Sequence, residues 1–174
     1  RPAIVWQDGR AQSFATELDA RVSIEDKLEW WGAPMPIDSS HACSRMAWVA
    51  MNEPDTWERT RWVMLPKDYV ALHLTGVPVT DALSSIGLVG QNLDYVPEVL
   101  NLVTGARDRV APLNGVMQPV GQIKQGPLKG IPLICGTMDA WAGLIGTGGA
   151  KGGASMYLSG TSEIMGISSQ TVVP

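Results

Sequence analysis

The opening run Pro2-Ala-Ile-Val-Trp6 is apolar and is closed by polar Gln7-Asp8-Gly9-Arg10. That pattern predicts a buried strand whose end delivers Asp8 and Arg10 to a loop. Between Ala11 and Leu28 apolar positions are sparse and irregular, which predicts surface helix and loop. Trp30 to Pro36 is a breaker-rich link. Ser39 and Ser40 are placed to cap a helix that runs through Met46, Trp48 and Val49 to Asn52. Glu53-Pro54-Asp55 starts another, with Pro in the first turn and acids where the helix dipole favours them. Pro66 then interrupts, and Lys67 to Leu74 is a short helix ended by Thr75-Gly76. Asp81 to Asn92 fits neither period. Asp94 to Leu102 is expected to be helical with Gly105 as its stop. Pro112 to Gly130 reads as loops around one short strand, Val120 to Ile123.

The last third changes character. Ile131-Pro-Leu-Ile-Cys135 has the length and branching of a buried strand, Gly136-Thr137-Met138 turns, and Asp139 opens an apolar, small-residue helix, Ala140 to Ile145. A Gly cluster follows, from Gly146 to Gly153. Ala154 to Leu158 is a strand, Ser159 to Ser162 a tight turn, and Glu163 to Ser168 the returning strand. Strand, turn and helix in succession indicate an α/β layer architecture.

Composition narrows the classes. At 174 residues the chain is one domain, or one plus a fraction. Acids outnumber Lys and Arg by 17 to 13, and no basic tract stands out, so nucleic acid is not an expected partner. Apolar residues at 45% against 17% charged describe a globular chain. No apolar stretch approaches the roughly eighteen residues that a bilayer span requires. Arg1 is neither an initiator Met nor the start of a signal peptide's apolar run. Cys43 and Cys135 have no local partners, which argues against a disulfide framework or a thiolate zinc site and suits a reducing cytoplasm.

Chemistry has few places to sit. Asp139, just after a buried strand and at a helix start, lies where α/β proteins commonly place ligands. It serves there as an N-cap, as a catalytic carboxylate, or as both: a helix start keeps a carboxylate ionised and ready to accept a proton. The turn at Ser159-Gly-Thr-Ser162 is either an ordinary hairpin turn or an anion nest whose N–H groups and hydroxyls converge on phosphate. The Gly cluster is neither a P-loop nor a G-x-G-x-x-G fingerprint, and no G-x-S-x-G elbow surrounds Ser159 or Ser162. His41 and His73 lack metal-ligand spacing and read as surface or helix-packing residues, so no metal ligands are assigned. Trp30 and Trp31 read as packing. Asp8 and Arg10 either contact a polyhydroxyl ligand or pair with each other, the pairing being the simpler reading.

Several blocks occur in a fixed order: Val5-Trp-Gln-Asp-Gly-Arg10, Trp62-Val-Met-Leu-Pro-Lys-Asp-Tyr69 with Leu74-Thr-Gly76, Thr80-Asp81, Ile131 to Gly146, and Leu158-Ser-Gly-Thr-Ser162. This succession resembles the FGGY family of carbohydrate kinases, most closely its xylulokinase-like members, over essentially the whole chain. The resemblance implies an α/β fold of the actin–hexokinase, ribonuclease H-like type, with two domains closing on ATP and sugar. It implies residues 1–150 as the later part of the sugar-binding first domain and 151–174 as the start of the ATP-binding second domain. It further implies Asp139 as the base that deprotonates the sugar hydroxyl, Gly160, Thr161 and Ser162 as the turn approaching the ATP phosphates, Asp8 near the sugar pocket, and Mg2+ accompanying ATP. Phosphoryl transfer is mostly positioning and charge stabilisation, so one carboxylate with phosphate-binding turns is a sufficient kind of set.

Departures from the family pattern bear on the substrate. Arg45 stands where the family usually has Lys, Ala42 where a small polar residue or Pro is usual, and Met51 where a polar residue is usual. Many members carry an amide side chain directly after the base to hold a sugar hydroxyl; Ala140 cannot do this, and Trp141 adds bulk beside it. Ala82-Leu83-Ser84-Ser85 replaces the usual Ser-rich continuation after Thr-Asp. The family's Asp-Gly-Thr phosphate loop and Met-His-Gly sugar segment would precede Arg1, so the expectation is an internal piece, inactive alone, of an ATP-dependent transferase acting on a ketopentose such as xylulose. A glycerol or erythritol kinase, or a non-catalytic sugar- or nucleotide-binding protein on the same fold, are the alternatives. Unpaired sheet edges and exposed apolar surface would reduce unfolding cooperativity and favour association, with which a homodimer is compatible.

Overall fold

The computed structural model describes residues 2–149, 151–159 and 163–169. Helices dominate the first part. A 3-10 turn at Gly9–Ala11 leads into α1 (Gln12–Ala20), followed by α2 (Ile24–Trp31), α3 (Ala42–Asn52), α4 (Pro54–Arg59) and α5 (Pro66–Thr75). Strand β1 (Thr80–Asp81) and the short α6 (Pro97–Leu100) come next. Then follow β2 (Leu113–Asn114), β3 (Pro119–Gln122), β4 (Pro132–Ile134), α7 (Asp139–Gly146), β5 (Ser155–Ser159) and β6 (Glu163–Ile167).

Among the described residues the strands pair two by two. β1 runs parallel to β2, with Asp81 opposite Asn114. β3 and β4 are antiparallel, with an irregularity between Pro119 and Gly121. β5 and β6 form an antiparallel hairpin in which Ser155 faces Ile167 and Ser159 faces Glu163.

One apolar core joins the helices. Leu18 of α1, Ile37, Cys43, Met46 and Val49 of α3, and Trp57 of α4 pack against Leu88, Val96, Val99, Leu100 and Val103. Each such side chain withdrawn from water contributes about 1.5–3 kcal/mol, and this is what holds short, imperfectly periodic helices together. Polar ties reinforce the shell: Lys27 Nζ and the Ile37 amide both donate to Asp19 Oδ1, at 2.6 and 2.7 Å. The Trp30–Trp31 pair is packing, as its sequence suggested, edge to face at 5.7 Å between centroids and against the core.

Several local expectations are corrected. Pro2 to Trp6 is not a buried strand: no described strand accepts its backbone, the Asp8 amide turns back to Val5 O, and Val5 and Trp6 are 58% and 57% exposed. An apolar run becomes a strand only where a neighbour takes up its N–H and C=O groups. The cap of α3 is His41, whose Nδ1 accepts the Cys43 amide at 3.2 Å, rather than Ser39 or Ser40. Asp38 instead gathers the Ser40 hydroxyl and the amides of Ser40 and His41. Pro66 does not interrupt a helix but begins α5, where its missing N–H costs nothing. The helix expected over Asp94–Leu102 shrinks to Pro97–Leu100, because Val96 before the proline is extended and donates to Leu88 O. Ile131 to Cys135 does contain a strand, β4, but Ile131 and Ile134 stay exposed.

Candidate active site

The site is best followed from α5. Its first turn carries Lys67 and Asp68, and the parallel pairing of β1 with β2 brings Asp81 against them. Lys67 Nζ lies 2.6 Å from Asp68 Oδ1 and 2.7 Å from Asp81 Oδ2, bridging two carboxylates that are both buried. Burial by itself would lower the Lys67 pKa, but its bonds to Asp68 and Asp81 prevail and raise it. Burial would likewise raise Asp81, and the Lys67 bond, with those from Ser84, holds it below the usual carboxylate range. Lys67 and Asp81 are therefore both held in their charged forms, as a buried pair needs to be if each is to compensate the other.

From Asp81 the network passes to the segment before α7. Asp81 Oδ1 accepts the Ser84 amide at 2.9 Å and the Thr137 hydroxyl at 3.1 Å. Ser84 Oγ lies 3.3 Å from Thr137 Oγ1 and accepts the Met138 amide at 2.8 Å. Within the first turn of the helix, the Trp141 indole N–H donates to Leu83 O at 3.0 Å. Four hydrogen bonds thus tie the start of α7 to β1 and the turn after it.

Asp139 is the first residue of α7, exposed, with Oδ1 accepting the next amide, that of Ala140, at 2.9 Å. The N-cap position belongs to Met138, which has no capping side chain, so the reading of Asp139 as the N-cap itself is corrected by one residue. The helix start still places a carboxylate where the first-turn N–H groups favour negative charge. An exposed, hydrogen-bonded carboxylate at a helix start is able to accept a proton from a hydroxyl placed beside it.

Asp8 lies elsewhere. It caps the 3-10 turn and holds Arg10 with both oxygens, Nε at 2.9 Å from each and Nη2 at 2.7 Å from Oδ2. The Arg10 bonds keep its carboxyl below the usual range. Arg10 in turn stacks over the Trp48 ring at 4.9 Å. Among the described residues no hydrogen bond or ion pair joins this cluster to Asp139. Ala140 and Trp141 sit half-buried on the first turn of α7, whereas Gly160, Thr161 and Ser162 lie outside the described residues.

Lys67, Asp68, Asp81, Ser84 and Thr137 stand in the sequence only inside quoted segments and are not read there as site residues. The signal was present: two carboxylates and a Lys inside Lys67-Asp68 and Thr80-Asp81 needed a pairing that only the β1–β2 register supplies. Among the described residues no group of three or more His, Cys, Asp or Glu is able to hold a metal ion. Both cysteines are free thiols, and burial pushes Cys43 up to about 12, so it is inert.

Residues 1–146 match the N-terminal domain of the FGGY family of carbohydrate kinases, and the chain belongs to that family. The xylulose kinase of Escherichia coli (strain K12) is 28% identical over 172 residues, which are 94% of this chain and 35% of that protein. A xyloylose kinase from Brucella ovis superposes with a TM-score of 0.81 at 28% identity, over 95% of this chain and 34% of that one. The glycerol kinase of Plasmodium falciparum, solved with ADP, gives 0.83 over 94% and 34%, and at 18% identity that likeness is one of fold. The fold is the α/β actin–hexokinase type of these sugar kinases. The chain spans about a third of the length of the curated relatives it matches. No helix among the described residues is long and apolar enough to cross a membrane.

Proposed function

We propose that this chain is the sugar-facing part of an ATP-dependent carbohydrate kinase of the cytoplasm, with Asp139 as general base. The sugar hydroxyl attacks the γ-phosphorus of ATP, the bond from that phosphorus to the β,γ-bridging oxygen breaks, ADP leaves, and the hydroxyl proton passes to the Asp139 carboxylate. The observation that carries this reading is the exposed Asp139 carboxylate at the start of a helix tied to buried charge by four hydrogen bonds. The preferred acceptor is a ketopentose such as xylulose, supported by the named relatives. Residues 1–150 would form the later part of the sugar domain and 151–174 the start of the ATP domain. The turn Gly160-Thr161-Ser162 would approach the phosphates, and magnesium would enter on the nucleotide. Asp8, already paired with Arg10, would border the sugar pocket from the first domain.

Ala140 supports a second acceptor class. It offers no side-chain hydrogen bond to a sugar hydroxyl, and the Trp141 indole N–H is committed to Leu83 O, so a smaller polyol such as glycerol or erythritol is the alternative acceptor. Because the chain covers a third of its relatives, it is expected to be inactive alone. The test is ADP release by the full-length polypeptide against a panel of ketopentoses, hexoses and polyols. Asp139→Asn should lower sugar-dependent turnover about 10²–10⁴-fold. Sugar binding without stimulated turnover would refute the kinase reading in favour of a binding protein.

A further inference from the structure

α7 carries the proposed base, yet it has no buried residue. Buried Cys43, Met46 and Val49 fix α3, whereas α7 has only half-buried apolar residues such as Ala140, Trp141 and Leu144. What sets its starting point is polar: Ser84 Oγ takes the Met138 amide, Asp81 Oδ1 takes the Thr137 hydroxyl, and Leu83 O takes the Trp141 indole. All three acceptors lie within four consecutive residues, 81–84.

That turn is itself held rigidly. Asp81 is 0% exposed, and its own Oδ1 closes the turn by accepting the Ser84 amide. Ser85 Oγ donates back to Asp81 O at 2.9 Å. Lys67 then anchors Asp81 Oδ2 to the first turn of α5. A continuous chain of polar contacts runs from α5 through Lys67, Asp81 and Thr137 to a point two residues before Asp139.

We propose that Ser84 and Thr137, seated on Asp81, are positioning residues: they latch the start of α7 and so aim the Asp139 carboxylate. The proposal rests on the reading of Asp139 as the base. Proton transfer falls off steeply with misplacement of the accepting group, so a helix start released from its latch would cost turnover while leaving sugar affinity largely intact. Removing one such hydrogen bond corresponds to about tenfold.

The experiment compares Ser84→Ala, Thr137→Val and Thr137→Ser in the full-length polypeptide, with D-xylulose as acceptor. Steady-state kinetics are read beside amide hydrogen exchange over residues 136–142. Thr137→Val keeps the shape of the side chain and so guards against a variant that merely fails to fold. Expected are an about tenfold lower kcat with the xylulose KM within about twofold, and about tenfold faster exchange at 136–142, for Ser84→Ala and Thr137→Val. Thr137→Ser, which keeps the hydroxyl, should restore both. Faster exchange with unchanged kcat, or unchanged exchange, would overturn the latch as a positioning device. If wild type and Asp139→Asn turn over alike, the base assignment fails and the positioning role fails with it. Exchange in Ser84→Ala and Thr137→Val would then show separately whether the contacts hold α7, so the two failures are told apart.

Discussion

The helical region before Ala111 and the segment after it are built on different principles. In the first, buried side chains from α1, α3 and α4 meet those around α6, and nearly every described buried hydrophobic residue belongs here. In the second, Ile123 is the one buried hydrophobic side chain among the described residues, while Ile131, Ile134, Ile145, Tyr157, Met165 and Ile167 are exposed. The first region is held by non-directional burial, which tolerates small shifts. The second is held to it by directional hydrogen bonds, which set position closely but contribute only about 1 kcal/mol each. The proposed base is thus carried on an element with no buried residue. Elements that work by small movements are drawn from the weakly packed end of a fold.

The contrast can be broken most severely from the packed side. Met46→Ala, at a core position, should destabilise the chain by about 2–5 kcal/mol in denaturant unfolding. Should it cost less than 1 kcal/mol, the helical core is not what holds the fold.

Acid should strike the same region. Burial holds His41 down to about 4 from its ordinary 6.5, against the opposing pull of Asp38. The unfolded chain takes up the proton as pH falls below about 6.5, while the folded chain resists until about 4. Stability is therefore full above about 6.5 and falls toward pH 4, by about 3 kcal/mol. His41→Asn keeps a capping acceptor and should flatten this slope in urea melts at successive pH values. An equally steep slope in the variant would remove His41 as its source.

Gly87 sharpens the point, since at φ +81 it lies directly against the His41 ring, where a Cβ would collide. Gly87→Ala should cost about 2 kcal/mol in thermal unfolding. A melting temperature equal to wild type would show that the ring moves aside freely.

On the weakly packed side the effects should be smaller and local. Trp141→Phe removes the indole bond to Leu83 O, and about 1 kcal/mol should be lost from the protection of α7 amides, with α3 amides unaffected. Parallel loss of protection in both helices would mean that the two regions open as one. Ile145→Ala, at a site 55% exposed, should change global stability by no more than about 0.5 kcal/mol.

How much was legible beforehand varies with the range of the interaction. α4, α7 and the antiparallel pair β5–β6 follow from local signals: a Pro at a first turn, a small apolar run after a turn, and two short runs of strand-forming residues. The pairing of Asp8 with Arg10 was also within reach, since the partners are two residues apart. The fate of Pro2–Trp6 and the exposure of β4 were not, because a strand's existence and burial depend on what lies beside it. The Lys67–Asp68–Asp81 cluster was hidden for the same reason, as were Ser84 and Thr137.

By itself the sequence determined the family and the bounds of α5 and α7 with the start of α4, because Pro, Gly and first-turn signals act within a few residues. Only the tertiary structure decided that His41 rather than a serine caps α3, that Lys67 bridges the buried Asp68 and Asp81, and that the turn after β1 carries the start of α7. Those outcomes turn on which polar groups are brought together and withdrawn from water, and a buried charge or N–H takes whichever partner the folded chain places within reach.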